Sequence, residues 1–483
     1  MYIRSLDRRV DGALRTALRS SGEANFRKPS RRAELTAAPT THARWLGAAT
    51  LAAVVLWLAC APAAAQISFD PANYKQMVPA SSPESIPVGT RIDLSNWTTY
   101  KKFLPIGVQA LFSQKYLFRM GNDPGFAIEV GPTVHIPLPS KVVRDTEKYS
   151  GQVRLKDIPG GGKAPEGYVA GEPFPNPSEP DLAYKIIYDN WYRWYPFVQS
   201  FHSHTRLVDR FLNISYQMSQ TSYWRLSHLS DNDYPTNMPY AAGFSLNARF
   251  FILAPEQSKY TTEIEMLHDD PTVVPELYVF LPSLRRSLRL SSAARCSPLL
   301  GTDYTGDDGA GTSITSPGLF KIELLGEYKV LALLHENPVA REKEDTFLIK
   351  SSVPGWPTPK DGRWELRDTY VVVLYPLPEL GSSYCYGARV VYIDKETWDN
   401  YWFDLYDSNR KLWKTEWLFT YPMDIGGGEK AITNNNTSTM IDLQNSHATT
   451  VIETNYALDK QAPADLQDAR TWAFPGSLGQ IMR

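Results

Sequence analysis

The sequence predicts a mainly antiparallel β protein with a few α additions, and three observations carry that prediction. Two aromatic-rich runs, residues 388–393 and 401–406, are separated by Asp394-Lys395-Glu396-Thr397, and a third, 412–421, follows Asp407-Ser408-Asn409-Arg410. Dense Val, Tyr, Trp and Phe broken by short polar turns is the pattern of a β meander. Residues 369–375 are a continuous β-branched and aromatic run, as expected of a strand buried on both faces. Aromatic residues make up 12% of the 483-residue chain, which favours strands and broad apolar surfaces.

The first residues stand apart from the fold. Residues 46–59 are apolar, preceded by Arg44 and followed by Ala63-Ala64-Ala65. This is a signal-peptide layout (residues 44–65), with cleavage between Ala65 and Gln66. The alternative is an uncleaved anchor, although the run is short for a membrane span. Residues 1–43 form a basic leader of doubtful status, in which Ser30-Arg31-Arg32 resembles part of a twin-arginine signal. Cys60 is a candidate lipidation site, with Trp57 where a lipobox usually has Leu. Residues 1–65 hold ten Lys+Arg against four Asp+Glu, so the remainder of a chain with net charge −2 is distinctly acidic. That balance argues against nucleic acid as a partner. Export implies an oxidising compartment, and Cys296 and Cys385 then form a possible disulfide.

Residues 66–180 read as an N-terminal strap and extended region. Within it, 95–104 is a short helix capped by Ser95 and ended by Pro105. Residues 136–141, with Pro137 and Pro139, are extended. The Gly/Pro-rich stretch 159–180 is the candidate boundary. Residues 181–428 form the core. A helix over 181–195 opens it, with Ala183, Ile187, Trp191 and Trp194 on one face, either packed on a sheet or acting as a lid. From Phe201 onward strands dominate. In 278–290, Arg285, Ser287 and Arg289 alternate with Leu288 and Leu290. Residues 429–483, rich in Asn, Thr and Ala, read as a tail packed on the domain.

No chemical motif stands out. There is no nucleophile elbow, Walker loop or dinucleotide fingerprint, and Gly160-Gly161-Gly162 sits in a Pro-rich linker. His202 and His204 share a strand face but lack further ligands nearby. The segment Asp303 to Gly309 begins like a calcium loop but has Ile314 where the closing Glu belongs, so it reads as a polar turn. Arg285, Arg286 and Arg289 form either a solvated strand face or a site for an anionic head group. Asn436-Thr437-Ser438 fits a glycosylation sequon.

Several stretches together resemble the domain-of-unknown-function 1329 family. They are Tyr100-Lys101-Lys102-Phe103-Leu104-Pro105, Gly131-Pro132-Thr133-Val134-His135-Ile136-Pro137 and Tyr168-Val169-Ala170-Gly171-Glu172-Pro173-Phe174-Pro175-Asn176-Pro177. In the second half, Leu281-Pro282-Ser283-Leu284-Arg285-Arg286 is followed by Gly301-Thr302-Asp303-Tyr304-Thr305-Gly306-Asp307-Asp308. These last stretches, and Tyr392-Ile393-Asp394-Lys395-Glu396-Thr397-Trp398, also resemble the outer-membrane lipoprotein-sorting (LolA/LolB-like) proteins. The resemblance implies a curved, incomplete antiparallel β-barrel with helices over a concave face that takes acyl chains. It further implies a periplasmic location, possible association with the outer membrane, and work alongside a resistance-nodulation-division exporter or an outer-membrane protein. It supplies no catalytic residues, metal or cofactor.

The leading expectation is an exported carrier or binding protein for lipids or other hydrophobic compounds, without enzymatic activity. Tyr188, Trp191, Trp194, Phe280, Trp402 and Trp417 are the candidate ligand contacts; ordinary core packing is the competing role for each. Two alternatives stand beside it: an accessory subunit of an envelope transport complex with no ligand of its own, and an envelope hydrolase.

Overall fold

A computed structural model describes residues 67–113, 125–230, 234–241, 243–291, 295–308, 316–338, 353–433 and 437–478. The leader, the signal peptide, Cys60, the Ala65/Gln66 cleavage point and Asn436 lie outside these residues. The chain separates into Met1–Ala63 and Ala64–Arg483, and all described residues belong to the second unit.

The N-terminal segment contains short helices α1 (Pro71–Tyr74), α2 (Trp97–Tyr100) and α3 (Ile106–Ser113), and strand β1 (Arg91–Asp93) paired with β2 (Ala127–Glu129). The expected 95–104 helix is thus realised as α2 and a following 3₁₀ turn, Lys101–Phe103, with Asn96 rather than Ser95 at its start. Helix α4 (Ser140–Tyr149) and the hairpin β3–β4 (Arg154–Asp157, Lys163–Glu166) follow. Helix α5 (Leu182–Trp191) leads into the main sheet.

That sheet uses β5 (Val198–Val208), β6 (Ile214–Arg225), β7 (Phe244–Ala254), β8 (Thr262–His268), β9 (Glu276–Leu281), β10 (Arg286–Arg289), β11 (Phe320–Ala332), β12 (Glu365–Pro376), β13 (Ala388–Asp394), β14 (Asn400–Tyr406) and β15 (Leu412–Phe419). The small hairpin β16–β17 (Met423–Gly426, Glu429–Ala431) precedes its last two members, β18 (Thr437–Asp442) and β19 (His447–Leu458). A helix α6 (Ala469–Trp472) lies beyond. The spatial order is β10-β9-β8-β7-β6-β5-β19-β18-β15-β14-β13-β12-β11, antiparallel throughout, with β10 and β11 as its outermost strands. The fold is therefore mainly β with α additions, built on a large sheet that does not close on itself. The β11 edge is covered by the N-terminal strap, where the Lys329 N–H donates to Val78 O (2.8 Å) and the Ala80 N–H to Glu327 O (2.9 Å).

Alternation sorts the core. On β12 and β13, Val371, Val373, Val390 and Tyr392 join one apolar cluster, while Tyr370, Val372, Val391 and Ile393 join another on the opposite face. The first cluster is completed by Tyr74, Phe103, Val108, Leu111 and Phe112 from the N-terminal segment; the second by Tyr184, Ile187, Tyr188 and Trp191 of α5. Period-two side-chain placement makes a strand buried on both faces read as an unbroken apolar run, as 369–375 does.

Two expected boundaries are corrected. Residues 159–180 do not separate domains. Tyr168 packs on Tyr192 (ring centroids 3.8 Å apart), the Phe174 N–H donates to Asp189 (2.9 Å), and the Glu172 N–H to Thr146 (2.8 Å). The stretch is thereby stitched to α4 and α5. Nor is all of 429–483 a tail, because β19 runs between β18 and β5 in the middle of the sheet. Only its last part behaves as expected: Leu466, Ala469 and Ala473 pack against Phe197, Trp224 and Leu226.

Candidate functional site

A groove of about 410 Å³ with a mixed polar and apolar lining lies beside Trp194. Five pieces of chain build it. The start of α4 supplies Ser140 and Lys141, and the segment after α5 supplies Trp194. The β6–β7 connection gives Tyr234, the β16–β17 hairpin gives Asp424, Ile425, Gly426, Gly427 and Glu429, and the end of β19 gives Leu458, Asp459, Lys460 and Gln461. Three smaller niches share the Trp194 side chain.

Local geometry explains the arrangement. Helix α5 stops at Trp191, with the Tyr192 N–H closing back on Tyr188 O (2.9 Å). Trp194 therefore leaves the helical face that carries Ile187 and Trp191, and its ring turns to the groove. The Lys141 ammonium lies over that ring at 4.7 Å from its centre, a cation–π contact. The Glu429 carboxylate accepts the Ser140 N–H at 3.1 Å; hydrogen bonding with Ser140 holds Glu429 below the usual carboxylate range and satisfies a free donor at the start of α4. At the hairpin turn Gly427 and Gly428 both have positive φ (65° and 81°), a conformation glycine adopts without a Cβ clash. Behind the groove, Arg193 is buried against Asp399 (3.1 Å) and stacks its guanidinium on Tyr195 (4.8 Å), giving one wall a fixed backing. His228 bridges Val169 O (2.8 Å) and Asp269 (2.6 Å); burial raises the Asp269 carboxyl, but bonding and charge from His228 outweigh it and leave it lowered.

The groove thus offers apolar surface from Trp194, Tyr234, Ile425 and Leu458, with Lys141 and Lys460 beside it. It can hold an amphipathic guest of modest size. It shows no nucleophile set beside a base and orienting group.

The other candidate contacts lie elsewhere. Trp402 and Trp417 are core residues, 1% and 0% exposed. Trp364 stacks on Trp402 (5.5 Å), Trp356 meets Trp417 edge-on (5.3 Å), and the indole N–H groups donate to Leu331 O and Gly355 O. Tyr188 and Trp191 are buried in the α5 cluster, and Phe280 packs with Ile264, Met266 and Leu478. Of the six, the structure brings Trp194 alone to the groove. The partners it missed are a Lys, a Tyr and a Gly-rich hairpin from distant stretches, which no local spacing links; the Asp424-Ile425-Gly426-Gly427-Gly428 turn was the one readable signal.

The remaining motifs also find structural roles. Cys296 and Cys385 form a disulfide with their Cα atoms 5.2 Å apart. The polar turn beginning at Asp303 is drawn inside: Asp303 bonds His447 and Thr449, Asp307 pairs with Arg295, and Asp308 pairs with Arg389. Among the described residues no group of three or more His, Cys, Asp and Glu is placed to hold a metal ion, and His202 and His204 are no exception. On β14, Asp404 accepts from Tyr392 (2.7 Å), the Gly107 N–H (2.8 Å) and Tyr74 (3.2 Å). Burial pushes its carboxyl up to about 6 against the pull of those bonds, yet it is enclosed by core and has no route to a substrate.

Residues 91–472 match the family described as a protein of unknown function (DUF1329). The chain belongs to the DUF1329 family. Among solved structures it is similar to a DUF1329 protein from Desulfovibrio piger, at 12% identity and a TM-score of 0.42, covering 60% of this chain and 98% of that one. It is also similar to a LolA superfamily protein from Nitrosomonas europaea, at 15% identity and a TM-score of 0.35, covering 59% and 96%. A third is a domain from Vibrio parahaemolyticus provisionally named for outer membrane lipoprotein sorting, at 14% identity and a TM-score of 0.39, covering 57% and 90%. No match was found among curated proteins.

Proposed function

We propose that this DUF1329 protein is an exported periplasmic carrier or binding protein for an amphipathic compound with a hydrophobic part, held in the Trp194 groove. The observation that carries this is the groove itself: an indole under a lysine, flanked by Tyr234, Ile425 and Leu458, in a volume within the usual range for small-molecule sites. Removing water from such surface favours a hydrocarbon guest by about 25 cal/mol per Å² buried. The reading assigns the protein no reaction. The signal-peptide layout and the Cys296–Cys385 pair support an oxidising envelope compartment. The test is native mass spectrometry after gentle extraction, followed by titration with a fluorescent fatty acid. A bound amphiphile, and weaker probe binding in Trp194→Ala, are expected. A protein that is always empty and blind to the probe would sink the reading.

A second reading is favoured by one observation. The sheet faces around Trp402, Trp417 and α5 are filled by the protein's own side chains. That suits an accessory subunit that docks on an exporter of the resistance-nodulation-division type or on an outer-membrane protein. Crosslinking in cells followed by affinity capture decides it: recovery of such a partner by a protein that binds no probe supports the accessory role.

A further inference from the structure

Three hairpin turns at one end of the sheet share an unusual surface. In an antiparallel meander the connections alternate between ends, so the β5–β6, β7–β8 and β9–β10 turns fall together. Among the described residues there are twelve large hydrophobics that are plainly exposed, and six lie on this end: Phe211 (65%), Leu212, Ile214, Tyr216 (53%), Tyr260 and Leu284 (55%). All of the exposed aromatic rings in that set are here. Isolated exposed apolar residues are ordinary, whereas a cluster marks a contact surface.

The charge has the opposite sign to the rest of the chain. Residues 209–216, 255–261 and 281–289 hold five Lys+Arg against two acids, in a protein of net charge −2. Lys259 reaches Glu256 (3.4 Å) and Arg289 reaches Glu276 (3.3 Å), while Arg210, Arg285 and Arg286 make no ion pair among the described residues.

Much of the backbone of the turns is also bonded within the turns. Asp209 takes the N–H groups of Phe211 (2.8 Å) and Asn213 (2.9 Å) on one oxygen and the Asn213 amide (2.8 Å) on the other, and the Leu212 N–H goes to Asp209 O (2.9 Å). At the second turn the N–H groups of Ser258, Lys259, Tyr260 and Thr261 all find carbonyls within the turn or on β7, and at the third those of Leu284 and Arg285 do so. Unbonded backbone donors are what makes a loop costly to move out of water. Most of the backbone donors of these tips have met that condition before any contact is made.

We propose that this end of the sheet docks on a phospholipid bilayer containing anionic lipid. The Phe211-Leu212 tip enters the interface, Tyr216 and Tyr260 sit at headgroup level, and Arg210, Arg285 and Arg286 meet phosphates. The exposed apolar tips suit a soft apolar surface, and the basic turns complement anionic headgroups, which draw basic residues within a Debye length. The Trp194 groove lies at the other end of β5, an 11-residue strand about 36 Å long. Docking therefore leaves the groove open to the aqueous side, and this inference stands whether or not the groove carries a ligand.

The test is co-sedimentation of the chain from Gln66 onward, which lacks the apolar leader, with vesicles of phosphatidylethanolamine and a minority of phosphatidylglycerol. Three proteins are compared: the unaltered chain, Phe211→Ser with Leu212→Asn, and Arg285→Glu with Arg286→Glu. The altered side chains are exposed, so melting temperatures should match, and this is checked first. The unaltered chain is expected to bind. The apolar pair should weaken partition by about tenfold or more, and the charge pair by about tenfold at low salt and less at high salt. Vesicle binding that is equal in all three overturns the proposal, as does no binding by the unaltered chain. Concentration-dependent self-association lost in the apolar variant, without vesicle binding, would also overturn it and make the tips an interface between copies.

Discussion

Glu263 on β8 is 2% exposed, and burial alone pushes its carboxyl up to about 7. Glu265, two residues on and so on the same face, is also raised, by burial and then by the charge of Glu263. An acid whose folded pKa lies above its unfolded value binds more protons when folded. Its contribution is therefore fully present below the unfolded value near 4.5 and is lost as pH rises through about 7. Glu263→Gln removes the ionisation. The variant should match the wild type near pH about 4 and exceed it by about 3 kcal/mol above pH about 8, read from denaturant melts at each pH. A constant difference across that range would assign the effect to packing instead. Trp194 makes the complementary case at the same scale. Its ring lines space rather than core, so Trp194→Ala should leave the melt within about 1 kcal/mol of wild type while weakening probe binding about tenfold. Trp402→Ala, in the indole stack, should reverse that pattern, costing about 3–5 kcal/mol of stability.

At the scale of elements, the Cys296–Cys385 bond ties the segment before the Asp303 turn to the segment entering β13, across a separation of 89 residues. Arg389 beside it is enclosed with Asp308, and the Arg295–Asp307 pair lies in the same buried patch. Closing a loop of that length stabilises by about 4.6 kcal/mol in the chain-entropy account. Cys385→Ser should lower the denaturant midpoint accordingly, and a reductant should shift the wild type but leave the variant unmoved. Which elements were readable from sequence follows from the same chemistry. The 369–375 run and the three aromatic runs after it are β12 to β15, because apolar side chains predominate on both faces, with Arg389, Asp404, Lys414 and Glu416 as buried exceptions. Strands β18 and β19 were hidden because threonines take many of their buried positions beside Met440, Ile441 and Ile452: Thr437, Thr439 and Thr449 are all fully buried, so they keep the β-branched shape while diluting the hydropathy signal. The helix at 181–195 was legible from its flanking prolines, but its early end at Trp191 was not, and that end is what turns Trp194 outward. Burial also decides between aromatic residues of equal appearance: Trp402 and Trp194 read alike in sequence, and the rings of Trp364 and Trp417 enclose the former.

For the whole molecule, the decisive contact is between the last strand and the first of the main sheet. Strands β5 to β10 pair antiparallel in chain order, and so do β11 to β15, with β18 added beside β15; among the described strands β19 alone joins the two sets, through β18 on one side and β5 on the other. Its register with β5 runs from Ala448↔Val208 to Leu458↔Gln199, interrupted by a bulge at Thr454/Ala457. Before β19 is made, both β5 and β18 present unpaired edges, and such edges recruit other chains. The sheet therefore cannot be completed until nearly all of the chain is available, and long-range pairing of this kind folds slowly. Ending the chain after Asn445 removes β19 and the cover that Leu466, Ala469 and Ala473 provide over Trp224. The truncated chain should lose the single cooperative melt and aggregate at concentrations where the full chain stays in solution. Ending it after Leu458 keeps the joining strand and removes only the cover. That version should still melt as one unit, at lower temperature, with exposed Trp224 fluorescence. If both truncations behaved alike, the two sets of strands would be held together by their shared packing layers and not by the last strand.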